Sequence, residues 1–177
     1  MPRPRAVLIG PPGSGKSTVA RALARRLGVA ARDTDQDVEA SAQMTVAEIF
    51  VEQGEPRFRE LEREAVLSAL AQHDGVLALG GGAVLDPSVQ AALSGHLVVF
   101  LDVGIADAAG RVGFGQHRPL LMMNPRAQWT ALMEQRRPTY ERLATARVDT
   151  AGRTVKEVVD EVEQVLARTG ARADRSR

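Results

Sequence analysis

Apolar positions along the chain fall into two rhythms. Short β-rich runs occur at Ala6–Ile9, Val76–Leu79 and Leu97–Leu101, with weaker ones near Val29–Arg32, ending at Asp33, and near Arg147–Asp149. Between them lie stretches with a helical pattern: Ser17–Leu27, Thr45–Gln53, Glu55–Ala71, Pro87–Leu93, Ile105–Val112, Ala127–Leu143 and Thr154–Arg168. Phe58, Leu61, Ala65 and Leu70 mark one side of the third of these, and valines at 155, 158, 159, 162 and 165 stripe the last. Gly28 and Gly54 stand where helix ends need a residue tolerant of left-handed backbone. Pro138 is expected to interrupt its helix, because it lacks an N–H and crowds the preceding turn. Strands alternating with helices predict an α/β fold, with a five-stranded parallel sheet in three α/β/α layers. Ligands of such sheets bind outside the carboxyl ends of the strands. The chemically suggestive residues gather at those ends: Gly10 onward, Asp33 and Asp35, Gly80–Gly82, and the segment after Asp149.

Bulk properties narrow the function classes. A chain of 177 residues suits one domain, with 44% hydrophobic and 25% charged residues in the ordinary range. A net charge of +1 argues against a general nucleic-acid or membrane-surface role. The absence of cysteine fits a reducing, cytoplasmic setting. No apolar stretch approaches the roughly 20 residues that a membrane span needs. The opening residues run straight into the first strand, so no signal peptide is expected. Thr169–Arg177 is small, polar and basic, and is expected to be a disordered tail after a single domain over residues 1–168.

Gly10-Pro11-Pro12-Gly13-Ser14-Gly15-Lys16-Ser17 fits G-x-x-x-x-G-K-[ST] in full, between a strand and a helix. Glycines let successive N–H groups turn toward phosphate oxygens, and the following helix aims its positive end at the same anions. Lys16 is placed to reach the β- and γ-phosphates and Ser17 to ligate Mg²⁺. Lys16 and Lys156 are the only lysines in a chain that otherwise uses arginine. That choice suggests a compact ammonium is wanted among phosphates.

The motif specifies a nucleoside triphosphate and leaves the acceptor open. The lone Asn124 is followed by Pro125, so no N-K-x-D base-reading motif of a GTPase is present. A P-loop protein of this length is most often a kinase for a small metabolite. Asp33-Thr34-Asp35 admits two readings: paired carboxylates at a strand end, one near Mg²⁺ and one at an acceptor hydroxyl, or a turn with Asp35 or Asp37 capping the next helix. Arg59, with Glu55 at i−4 and Glu62 at i+3, is either a solvated ion network or a carboxylate clamp oriented by Glu62. Gly80-Gly81-Gly82 points to close approach of a ligand to the backbone. Glycines flanking Arg118-Pro119-Leu120-Leu121 suit a mobile lid over about residues 112–125. Arg136, just before Pro138, is by itself only a helix-end arginine.

In this order the segments closely resemble the shikimate kinase family, from about Arg5 to Arg168. The set comprises the P-loop, Asp33–Asp35, the G-E-x-x-F-R-x-x-E at Gly54–Glu62, Gly80–Gly82, Arg118–Leu121 and the R-x-P-x-Y at Arg136–Tyr140. The resemblance implies transfer of the γ-phosphoryl of ATP to the 3-hydroxyl of shikimate, in a monomer of P-loop fold requiring Mg²⁺. It implies Lys16, Asp35 and Arg118 as catalytic residues. ATP would lie on Gly13, Ser14, Gly15, Lys16, Ser17, Thr18, Arg111, Arg118 and Arg153, with Mg²⁺ near Ser17 and Asp33. Shikimate would meet Asp35, Arg59, Glu62, the Gly80–Gly82 backbone and Arg136, flanked by Phe50 and Phe58. The substrate segment would span about residues 34–62. Alternatives are a kinase for gluconate or a nucleoside monophosphate and, in another class, a nucleotide-binding switch. His73, His96 and His117 show no metal spacing, and Trp129 reads as helix packing rather than a base-stacking platform.

Overall fold

The computed structural model describes residue 1, residues 3–112 and residues 124–174, with backbone alone at 112 and 171–174. In chain order the elements are β1 (Ala6–Ile9), α1 (Lys16–Leu27), β2 (Ala31–Asp33), α2 (Thr34–Ala42), α3 (Val46–Gln53), α4 (Glu55–Gln72), β3 (Val76–Ala78), a 3₁₀ turn (Ala83–Leu85), α5 (Pro87–Ala92), β4 (Val98–Asp102), α6 (Ile105–Val112), α7 (Pro125–Leu143), β5 (Ala146–Asp149) and α8 (Val155–Asp174). The five strands form one parallel sheet in the order β2-β3-β1-β4-β5.

The uninterrupted apolar runs are explained by burial on both faces of the sheet. Val7, Ile9, Leu77, Val98 and Phe100 pack on one face against Val66 of α4 and Trp129, Met133 and Tyr140 of α7. Their neighbours Ala6, Leu8, Val76, Val99 and Leu101 face the other way, onto Leu23 of α1 and Val158 and Val162 of α8. Leu8 is fully buried, so its truncation to alanine would cost about 2–5 kcal/mol. Beside β2 and β3, α2–α4 enclose a smaller core of Val38, Ile49 and Phe58. Thr45 and Glu48 cap α3 reciprocally: Glu48 N–H donates to Thr45 Oγ1, and Thr45 N–H to the Glu48 carboxylate at 2.7 Å.

Three expectations change. α7 continues unbroken through Pro138. That residue is exposed, as is Glu134, whose carbonyl loses its helical donor there and can turn to water. The segment expected to be disordered from Thr169 is helical as far as Asp174, because α8 carries its hydrogen-bonded spiral past its valine stripe. Neither Asp35 nor Asp37 caps the helix after β2. Asp33 does so, from an extended backbone (φ −125°, ψ 122°), by accepting from the Asp35 N–H. The two aspartates therefore do not share a strand face: Asp33 ends β2 and Asp35 lies in the first turn of α2. The lid arginine Arg118 and most of the lid segment lie outside the described residues.

Candidate active site

The loop from Gly10 to Lys16 turns through Gly13 (φ +83°) and Gly15 (φ +86°), conformations that only glycine adopts without strain. Gly15 ends the loop at the N-terminus of α1, where free backbone N–H groups gather. Lys16 Nζ donates to the carbonyls of Gly10, at 2.8 Å, and Pro11, at 3.1 Å. Ser14 Oγ is buried with no hydrogen-bond partner among the described residues. Ser17 Oγ donates to the Asp33 carboxylate, whose other oxygen accepts from Asp35 N–H at 2.9 Å. A hydroxyl and a carboxylate, the usual oxygen ligands of a hard cation, thus meet beside the loop. Gly13–Val19, Asp33, Asp35, Gly81, Arg111 and Arg153 line a cavity of about 520 Å³. Arg111 spans its far side, donating to the Thr150 carbonyl at 2.8 Å, Thr150 Oγ1 at 2.9 Å and the Gly13 carbonyl at 3.2 Å. Arg153 also lines the cavity, but its guanidinium is held by Glu161 and by the carbonyls of Asp149 and Glu157.

The three consecutive glycines stand where charged groups crowd the backbone. A Cβ at Gly80 would come within 2.6 Å of both the Asp35 and Glu62 carboxylates. One at Gly82 would collide with the Arg59 guanidinium, and one at Gly81 would lie 3.4 Å from Arg136 Nη1, Pro12 Cδ and the Gly10 carbonyl. Gly80–Gly82 is thus the meeting point of α2, α4, α7 and the phosphate loop. Arg59 Nη1 donates to Glu62 at 2.7 Å, and its other nitrogens lie 3.2–3.4 Å from Glu55. Arg59 thus belongs to a helix-face ion network and also reaches Gly82. Glu62 is only 3% exposed, and that burial pushes its carboxyl above the ordinary range, while Arg59 opposes the shift. The Phe50 and Phe58 rings meet at a tilt of 39° with centroids 4.7 Å apart, and the Arg59 guanidinium lies over Phe58.

Arg136 is 4% exposed, and its Nε has no partner among the described residues. It belongs to a buried stripe on α7 with Trp129, Met133 and Tyr140, spaced 4, 3 and 4 residues apart. Tyr140 donates its hydroxyl to the Gly81 carbonyl at 2.6 Å, and burial pushes its pKa to about 12.

A family model described as Shikimate kinase matches residues 12–167. The chain belongs to the shikimate kinase family. It is 57% identical over 164 residues to the shikimate kinase of Salinispora arenicola, covering 93% of this chain and 98% of that one. It is 54% identical over 168 residues to that of Thermobifida fusca, covering 95% and 98%. Its fold matches the shikimate kinase of Acinetobacter baumannii in complex with shikimate, with a TM-score of 0.90, 29% identity, and coverage of 96% of this chain and 95% of that one. The chain is an ATP-dependent kinase of this family and has the expected P-loop fold.

Of the candidate residues, Lys16, Ser17, Asp33, Asp35, Gly81, Arg111 and Arg153 line one cavity. Arg59, Glu62 and Arg136 converge on the glycines at its edge. Three further residues gain a role at the site only in the fold. Trp129 Nε1–H donates to the Pro12 carbonyl, so it does more than pack a helix. Tyr140 holds Gly81. Asp102, at the end of β4, accepts from Arg137 at 2.9 and 3.0 Å and from Arg147 at 2.8 Å. The four-three-four spacing on α7 was the available signal for the first two, since it sets them on Arg136's face. Two of the three histidines lie among the described residues. His73 Nε2 lies 3.2 Å from the Val76 carbonyl, His96 lines a cavity at the opposite sheet edge, and His117 lies outside the described residues.

Proposed function

We propose that the chain transfers the γ-phosphoryl of ATP to the 3-hydroxyl of shikimate, giving shikimate 3-phosphate and ADP. The observation that carries this proposal is the convergence of Asp35, Glu62, Arg59 and Arg136 on Gly80–Gly82, at the edge of the P-loop cavity. Two guanidiniums suit one end of a small acidic alcohol, because each presents donors in the plane of a carboxylate. The buried Arg136 Nε, which has no partner among the described residues, supports an anionic acceptor reaching it.

In this proposal Arg59 and Arg136 fix the shikimate carboxylate and Glu62 holds the aim of Arg59. The Gly81 backbone meets the ring, and Phe50 and Phe58 bound the acceptor side. Asp35 receives the acceptor hydroxyl and accepts its proton as the new O–P bond forms and the bond to the β-phosphate oxygen breaks. Gly13–Thr18 bind the phosphates, Arg111 and Arg153 border the adenine, and Lys16 leaves the Gly10 and Pro11 carbonyls for the transferring phosphoryl. Ser17 and Asp33 would hold Mg²⁺ between them, one hydroxyl and one carboxylate being a fitting set for a cation that keeps water and phosphate ligands. When bound, the ion supplies charge neutralisation on the phosphate oxygens. Arg118 is assigned the same task from the lid side. The main contribution of these residues is positioning and charge compensation, which phosphoryl transfer chiefly requires. The enzyme is taken as a cytoplasmic monomer with small-molecule partners only. No described helix is long and apolar enough to cross a membrane.

The test is ADP release coupled to NADH oxidation with ATP and each of shikimate, gluconate and nucleoside monophosphates. ADP formation should depend on shikimate. Faster turnover with another acceptor, or equal ADP release with none, would overturn the proposal.

A further inference from the structure

The phosphate loop has one contact whose partner lies 117 residues away: Trp129 Nε1–H donates to the Pro12 carbonyl at 2.9 Å from a side chain 4% exposed. Most of the loop's other bonds are local, from Ser14 N–H to Pro11 and from Lys16 Nζ to Gly10 and Pro11, and Arg111 adds a bond to the Gly13 carbonyl at 3.2 Å. Local bonds shape the loop but do not fix where it stands. Trp129 ties it to α7, and Pro12 in turn packs against Gly81, where a Cβ would lie 3.4 Å from Pro12 Cδ. About three turns further along the same helix face, Tyr140 holds the Gly81 carbonyl at 2.6 Å. One helix therefore grips the nucleotide loop at Pro12 and the acceptor loop at Gly81, with Arg136 between the two grips.

We infer that Trp129 is a positioning residue for nucleotide: its indole N–H sets the phosphate loop in the form that receives phosphates, while Tyr140 does the corresponding work for the acceptor loop. This rests on the kinase proposal only for the acceptor half. The nucleotide half depends on Pro12 alone. Without the indole donor the buried Pro12 carbonyl is driven toward other partners or water, so the free loop samples other conformations. Nucleotide must then select the competent one, and its apparent affinity falls by the fraction of time that form is populated. A residue that merely filled space would lower the melting temperature without separating the two substrates.

Trp129 is the only tryptophan in the chain, which permits a clean test. Replacing it biosynthetically with β-(3-benzothienyl)alanine keeps the bicyclic shape and removes the N–H. Titration calorimetry of the full chain with Mg²⁺–ADP should show at least a fivefold loss of affinity, with the shikimate KM within twofold of wild type. Tyr140→Phe should show the reverse: ADP affinity within twofold and a raised shikimate KM. In wild type, Mg²⁺–ADP should produce a saturable change in Trp129 fluorescence, whether or not shikimate is the acceptor. Unaltered ADP affinity in the N–H-deficient protein, or a wild-type emission indifferent to saturating ADP, would refute the role. Failure of shikimate turnover with the ADP results intact would overturn the kinase proposal and leave the Trp129 assignment standing.

Discussion

Glu62→Gln should damage acceptor binding while sparing the fold. Glu62 is buried in α4 and receives a 2.7 Å bond from Arg59, which is itself partly exposed. Glutamine keeps the shape and one acceptor oxygen but removes the charge. Bonds to charged groups contribute about 1.5–3 kcal/mol net and neutral ones about 0.5–1.5, so the exchange weakens the hold on Arg59 by about 1–1.5 kcal/mol. If that hold aims Arg59 at a carboxylate, the shikimate KM rises about 5- to 15-fold while the ATP KM stays put. Stability should move the other way. Burial, the largest influence, raises the Glu62 pKa, and Asp35 adds to this, while Arg59 and Arg136 oppose it. A carboxyl whose folded pKa is raised stabilises the fold fully below its unfolded pKa, and loses that contribution as pH rises through the folded value. At neutral pH the wild type thus carries the cost of an ionised buried group, and Glu62→Gln does not. Its Tm at pH 7.5 should equal or exceed that of wild type, with wild type gaining relative to it as pH falls toward the ordinary carboxylate range. Steady-state kinetics and a pH series of melting curves make the check. An unchanged shikimate KM would refute the orienting role, and a Tm several degrees lower at pH 7.5 would make Glu62 a structural anchor instead.

Other outcomes follow from the same geometry. Lys16→Ala should lower kcat by about 10²–10³-fold, the loss of one preorganised charge, with the fold intact by circular dichroism; near-normal turnover would remove Lys16 from the chemistry. Asp35→Asn should reduce kcat with little change in Tm, because Asp33 and not Asp35 caps α2; a collapsed Tm would point to a structural carboxylate. Asp102→Asn should cost about 1–2 kcal/mol, a modest sum because the Arg137 and Arg147 side chains are 37% and 56% exposed and screened. That corresponds to a Tm lower by about 2–8 °C at pH 7 for a chain of this size. Burial alone would raise the Asp102 pKa, but Arg137 and Arg147 hold it below the ordinary range. Its contribution is therefore present above about pH 4, the ordinary carboxylate range, and fades as pH falls through the folded value, so the difference between variant and wild type should shrink on acidification.

The sheet and most helices were readable because their signals are local. Unbroken apolar runs such as Val98–Leu101 and the valine stripe of α8 needed no tertiary context. α2 escaped because its short, acidic sequence carries a weak apolar stripe, with only Thr34 and Val38 buried, and because the cap was sought at Asp35 or Asp37 while Asp33 supplies it. The continuity of α7 through Pro138 depended on an exposed back face, which composition does not reveal. At the site, the P-loop declared itself because its spacing is its mechanism. Arg59 and Arg136 stayed ambiguous as residues, since a helix-surface arginine and a ligand-facing one look alike until Gly81 and Gly82 are seen against them. Trp129 and Tyr140 act through backbone carbonyls, and a carbonyl leaves no trace in sequence.

The most direct test of the central claim is the crystal structure of the full chain with Mg²⁺–ADP and shikimate. The shikimate carboxylate should lie about 2.7–3.2 Å from the guanidinium nitrogens of both Arg59 and Arg136. One hydroxyl should meet Asp35 and point toward the Lys16 end of the cavity. Shikimate bound elsewhere, or reversed with its carboxylate on Lys16, would contradict the account.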